Sequence, residues 1–91
     1  MPLFALICTD KPGQEALRKT NRAAHLDYLE QTGVVVHAGP FLNAAGGMTG
    51  SLVVLDLPAR AQAETWAAGD PYSQAGLFET VRIEEWKKVI G

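Results

Sequence analysis

Several things are scarce in this chain of 91 residues, and each scarcity closes a class of function. There is one cysteine, Cys8, so no intrachain disulfide can form. That usage fits a reducing compartment, and a cytoplasmic protein is expected. No run of basic residues exists: Arg18-Lys19 with Arg22 is the nearest approach, and the formal charge is -2. A nucleic-acid partner would need a basic stripe, so none is expected. No apolar run approaches a membrane span, and the N-terminus lacks the basic start of a secretory leader. Neither membrane nor export is therefore expected. The two histidines stand in different elements with no cysteine or carboxylate at ligand spacing, so no metal site is expected. No cofactor motif is present either. The glycines at 46, 47 and 50 lack the lysine and helix of a phosphate loop, and Met48-Thr49-Gly50-Ser51-Leu52 is not a nucleophile elbow.

What is present is apolar content, 47% of residues, in a chain long enough for only one domain, residues 1–91. A domain this small buries only about two-thirds of its unfolded surface. Apolar content in excess of one small core asks for a second buried surface, and a second copy of the chain is the usual solution.

The elements read in order. Leu3 to Thr9 is a short apolar run closed by Asp10-Lys11-Pro12-Gly13, hence a buried strand and a turn. A helix is predicted from about Gln14 to Gln31, ended by Gly33. At 100° per residue, Leu17, Ala24 and Tyr28 share one narrow arc, which is the expected packing face; His25 sits on its shoulder beside Arg22 and Leu29. Val34 to Gly39 is a β-branched strand that Pro40 either ends or confines to a sheet edge. Gly50 to Leu57 is a third strand, joined to the second by a glycine-rich hairpin. Ala59 to Ala68 is a second helix with Ala63, Trp66 and Ala67 as its packing face. Asp70-Pro71-Tyr72 opens a connection to Gly76, and a last strand lies within Leu77 to Ile90. The order β-α-β-β-α-β is an α+β, ferredoxin-like pattern: a four-stranded antiparallel sheet with both helices on one face. The uncovered sheet face is the expected dimer surface, giving an α+β barrel from two copies.

Cys8 in an apolar strand reads as a small buried hydrophobe, since a reactive thiolate needs an electropositive, accessible setting. His37 reads as a sheet-surface residue. His25 alone fits a satisfied core-edge histidine. Asp70 before Pro71 fits an N-cap at the start of a short turn. As a pair they gain meaning. The fold brings the first helix and the end of the second onto one sheet face, and a carboxylate that orients an imidazole is a recurrent general-base arrangement. Arg22, one turn before His25, could hold an anionic group or the Asp70 carboxylate. Ser51 could supply a hydroxyl.

The residues also resemble a known family. Arg22-Ala23-Ala24-His25-Leu26-Asp27-Tyr28-Leu29, Ala38-Gly39-Pro40-Phe41, Gly50-Ser51-Leu52, the segment Asp70-Pro71-Tyr72 with Ala75-Gly76-Leu77-Phe78, and the closing Glu85-Trp86 are similar, in order, to the motifs of YCII-related (YciI-like) proteins. The resemblance spans essentially the whole chain. It implies a ferredoxin-like fold assembled as a dimeric α+β barrel, with His25 and Asp70 as the active-site pair. Arg22, Ser51, Gly39 and Pro40 match further pattern positions and are expected to line the same cleft. Some relatives are associated with lyase-type removal of halide from hydroxylated rings. The resulting expectation is a small cofactor-independent enzyme using a His–Asp pair for acid/base chemistry, of lyase or hydrolase type, on a small polar or phenolic substrate. A non-catalytic dimeric module that binds small molecules is the alternative, since one fold hosts both.

Overall fold

The computed structural model describes residues 2–91. Seven elements follow one another: β1 (Leu3–Asp10), α1 (Glu15–Thr32), β2 (Val35–Leu42), β3 (Met48–Asp56), α2 (Arg60–Gly69), the single-turn α3 (Pro71–Gln74) and β4 (Phe78–Trp86). The strands form one antiparallel sheet in the order β2-β3-β1-β4. This is the ferredoxin-like α+β arrangement expected from the element order.

The core lies between the sheet and the helices. Phe4, Leu6 and Cys8 alternate along β1 and point toward the helix layer, with Val53 and Leu55 of β3 and Ile83 of β4 beside them. Ala63, Trp66 and Ala67 of α2 close over them, which is the face predicted for that helix. Helix α1 differs from its prediction. Its buried residues are Arg18 and His25, two turns apart on one side, while Ala24 is exposed and Leu17 only half-buried. The apolar arc from Leu17 through Ala24 to Tyr28 is thus a flank, and the inward centre of the helix is polar. A hydropathy pattern finds the buried face only where the buried residues are apolar.

Two glycines are required by geometry. Gly33 ends α1 in the left-handed region, φ 68°. At Gly69 a Cβ would stand 2.5 Å from the Tyr28 hydroxyl, which donates to the Trp66 carbonyl at 2.9 Å. The glycine lets α1 and the end of α2 approach closely. Trp66 Nε1 in turn donates to Thr32 Oγ1 at 2.9 Å, tying the two helices at a second point.

Strand β2 runs to Leu42, past Gly39 and through Pro40. It is an edge strand, and an edge tolerates a residue with no N–H to donate. The hairpin tip is held by Asn43, whose Oδ1 accepts from Ala45 and Gly47 amides at 3.0 and 2.9 Å. The opposite sheet face carries Leu3, Ala5 and Ile7 paired with Asp56, Val54 and Leu52; Ala5 and Val54 are buried among their neighbours, and among the described residues no helix belongs to this side. Trp86 and Phe41 lie at its margins and are exposed. Among the described residues no helix is long and apolar enough to cross a membrane.

Candidate active site

A cleft of about 180 Å³ opens between α1 and the β2–β3 edge of the sheet. Its lining is mostly apolar, from Leu26 and Leu29 on the helix to Pro40, Met48 and Val53 on the strands. Arg18, Arg22, His25, Ser51 and Tyr72 supply the polar groups.

Asp70 stands where α2 gives way to α3. Its Oδ1 accepts from the Tyr72 amide at 2.9 Å, which caps α3, with Pro71 at the first helical position. The same oxygen lies 2.8 Å from His25 Nδ1. Both side chains are buried, to 7% and 3% exposure. One atom thus both caps α3 and contacts the imidazole. An ionised carboxylate only accepts, so Nδ1 is the donor of this contact, and in the neutral imidazole Nε2 then keeps its lone pair. Nε2 has no partner among the described residues and is not one of their buried unpaired atoms, so it reaches the cleft that His25 lines.

Tyr72 fixes the plane of the imidazole. Its ring stacks on His25 at 3.8 Å between centroids, with 11° between planes. The Arg18 guanidinium carbon lies 4.7 Å from the same ring centroid. With His25 occupying one face, Arg18 takes the other. Tyr72 is 1% exposed, and burial raises its hydroxyl above the ordinary value against the opposing pull of Arg18 and Arg22.

Arg18 is the main residue that the sequence reading missed. It is 3% exposed, and its charge is met by Asp10: Nε donates to Oδ2 at 2.7 Å and Nη2 to Oδ1 at 3.0 Å. Nη2 also donates to Ser51 Oγ at 2.8 Å. Burial works against the guanidinium charge, but the Asp10 bonds outweigh it and hold Arg18 protonated. The spacing of Arg18 from His25, seven residues or two turns, was the available signal. Asp10 closes the first strand on its helix-facing side, continuing the alternation of Phe4, Leu6 and Cys8.

The other predicted positions divide. Arg22 lines the cleft and is exposed, and it makes no ion pair with Asp70, whose partners are His25 and the Tyr72 amide. Ser51 is buried, lines the cleft, and accepts from Arg18 Nη2 through its Oγ. Gly39 and Pro40 form part of the strand wall. His37 is exposed and pairs with Val54, the residue opposite Ala5, which places it on the uncovered sheet face away from the cleft. Cys8 is buried, its thiol pushed up to about 12, first by burial and then by Asp70 and Asp10. It stays a thiol, as expected of a packed strand residue. No cluster of three metal-ligating side chains occurs among the described residues.

Comparison with known proteins places the chain in a family. The profile of the YCII-related domain matches residues 2–87. Protein YciI of Escherichia coli O6:H1 is 33% identical over 96 aligned positions, covering 96% of this chain and 98% of that protein. An uncharacterized protein of Haemophilus influenzae is 32% identical, over 94% and 97% of the two chains. Among solved structures, a 5-chloro-2-hydroxyhydroquinone dehydrochlorinase from Burkholderia phenoliruptrix, in complex with 2,5-dihydroxybenzoquinone, superimposes with a TM-score of 0.86 at 34% identity, covering 93% of each chain. An antibiotic biosynthesis monooxygenase superimposes with a TM-score of 0.61 at 10% identity, a likeness of fold alone. The chain belongs to the YCII-related family.

Proposed function

We infer that the cleft is an acid/base active site of lyase type for a small hydroxylated ring. The carrying observation is the His25 Nδ1–Asp70 Oδ1 contact at 2.8 Å, which leaves Nε2 facing the cleft. His25 acts as the general base, taking a hydroxyl proton from the substrate through Nε2. Asp70 fixes the tautomer and stabilises the imidazolium that forms. Elimination then needs no oxidant: one ring hydroxyl proton moves to the carbon that bears the leaving group, and loss of a second hydroxyl proton to His25 expels the leaving anion through the ring double bond, so that the two O–H electron pairs end in the two carbonyls of a quinone. The size of the cleft suits this substrate class, since a cavity of about 150 Å³ holds benzene. The dehydrochlorinase relative, which binds 2,5-dihydroxybenzoquinone, supports the same class.

The working unit we propose is a homodimer packed through the uncovered sheet face, where Leu3, Ala5, Ile7, Leu52 and Val54 face away from the helices. The cleft lies between α1 and the β2–β3 edge, on the helix side of the sheet. A cytoplasmic setting fits the single buried thiol.

The test is halide release from chlorinated hydroxyhydroquinones, followed together with the ring nitrogens of His25 by ¹⁵N NMR. The expected result is turnover by a histidine protonated at Nδ1. Absence of turnover across the series, with Nε2 carrying the proton, would remove the acid/base reading and leave a binding module.

A further inference from the structure

Strand β3 begins with a β-bulge. Pro40 pairs with Ser51 and Phe41 with Gly50, but Leu42 then pairs with Met48, so β3 has one residue more than β2 at this point. Strict alternation from Leu55, Val53 and Ser51 would turn Met48 away from the helices. The bulge reverses that. Met48 shares the side of its partner Leu42, which alternates with Pro40 of the cleft wall. Bulges re-aim side chains in this way, often beside active sites.

The re-aimed side chain has an unusual place. Met48 lines the cleft of about 180 Å³, and it also lines a second cavity of about 170 Å³ between the β1–α1 turn and the β2–β3 hairpin. No other described residue lines both. The second cavity is polar, with Lys11, Glu15, Asn43 and Thr49 in its wall. An ion pair also stands between the two spaces: Arg18 lines the cleft, Asp10 lines the second cavity, and they are joined by bonds of 2.7 and 3.0 Å. That pair is buried and fixed. Met48 is half-buried, unbranched and apolar, a side chain suited to filling an irregular gap.

We propose that Met48 is the specificity residue of the cleft: it closes off the second cavity and so limits the ligand to a ring without a polar side arm. This deepens the reading of the cleft as a site for a small hydroxylated ring, and rests on it. The two cavities match the two parts of an excluded ligand, apolar walls for the ring and polar walls for the arm. Lys11 and Glu15 oppose one another in charge and Asp10 is held by Arg18, so the arm that fits is neutral, an amide or a hydroxyl. With Met48 in place, an arm pointed this way meets an apolar side chain and loses water without gaining a partner. With a small residue there, it reaches polar groups.

The test compares 4-methylphenol with 4-hydroxyphenylacetamide, the same ring with a carboxamide on its methyl carbon. Affinities are measured by NMR titration with wild type, Met48→Ala and the volume-conserving Met48→Leu. Wild type and Met48→Leu bind the plain ring about tenfold tighter or more, and in folded Met48→Ala the ratio moves toward the amide by about tenfold. An unchanged ratio in folded Met48→Ala overturns the proposal, as does a wild type that binds the two equally or binds neither. A second measurement reads the wild-type protein directly. Of the two methionine methyl resonances, that of Met48 is the one absent from Met48→Leu. It shifts on adding 4-methylphenol, and an unmoved resonance overturns the proposal. Halide release separates the two readings. No turnover together with the shifted ratio would sink the acid/base reading and leave the Met48 wall standing; turnover with an unchanged ratio would do the reverse.

Discussion

Helices α1 and α2 occupy matching places in the two halves of the fold, yet they bury opposite chemistry. Helix α2 buries Ala63, Trp66 and Ala67. Helix α1 buries Arg18 and His25. Burying an apolar side chain gains about 1.5–3 kcal/mol, whereas a buried charge costs several unless it is paired and hydrogen-bonded. The second helix thus stabilises, and the first spends part of that stability on a prearranged set of polar groups in a mostly apolar cleft. The chain accepts the cost by giving each buried polar group on α1 a dedicated partner: Asp10 and Ser51 for Arg18, Asp70 for His25.

Removing the Asp70 charge attacks the polar side of this contrast and has the largest expected effect. Asn in place of Asp70 still accepts from the Tyr72 amide, so α3 keeps its cap. Its amide can turn its NH₂ toward Nδ1, however, and move the imidazole proton to Nε2, which then cannot accept one. Turnover should fall by roughly 10²–10⁴-fold with little change in thermal stability, as for general-base loss elsewhere. Equal turnover in Asp70→Asn would show Asp70 to be a cap and no more.

Stability draws the contrast next. Arg18→Met leaves Asp10 buried and unpaired, and should cost about 3–5 kcal/mol. Adding Asp10→Asn should recover much of that, because the orphaned charge is gone. Trp66→Ala on α2 should also cost about 3–5 kcal/mol, through a cavity and the lost bond to Thr32, but no second substitution at a polar site should recover it. Urea midpoints of the four proteins decide the matter. If Asp10→Asn fails to rescue Arg18→Met, the penalty is packing and the two helices are alike.

The same contrast explains what could be read from sequence. The element order, the edge placement of Pro40 and the α2 face were legible because apolar spacing and turn residues carry them. The α1 face was not. Its inward positions are polar, so the hydropathy arc pointed to Leu17, Ala24 and Tyr28, and Ala24 is in fact exposed. His25 and Asp70 were singled out by residue type and by the element order that brings α1 near the end of α2, and then by motif, not by hydropathy. Arg18 and Asp10 escaped notice, since a helix arginine is ordinarily a solvated residue and nothing local marks it as clamped.

Cys8 gives the smallest expected effect and shows how far the polar cleft reaches into the apolar core. It packs with Phe4 and Leu6, yet Asp70 and Asp10 add to burial in holding its proton. The folded thiol titrates near 12 and the unfolded one near 9.0. Below pH 9 both states keep the proton and folding is not penalised by this group. Between those values the unfolded chain releases the proton first, so stability falls as pH rises. Tyr28 and Tyr72, also raised by burial, act in the same direction. Cys8→Ala should therefore flatten part of the alkaline decline in melting temperature, on top of a pH-independent loss from the small cavity it leaves. Native Cys8 should also resist iodoacetamide at pH 8 until the chain is unfolded. Rapid alkylation of the folded protein would mean that the thiol is reachable from the cleft, and the division between an apolar core and a polar site would have to be redrawn at β1.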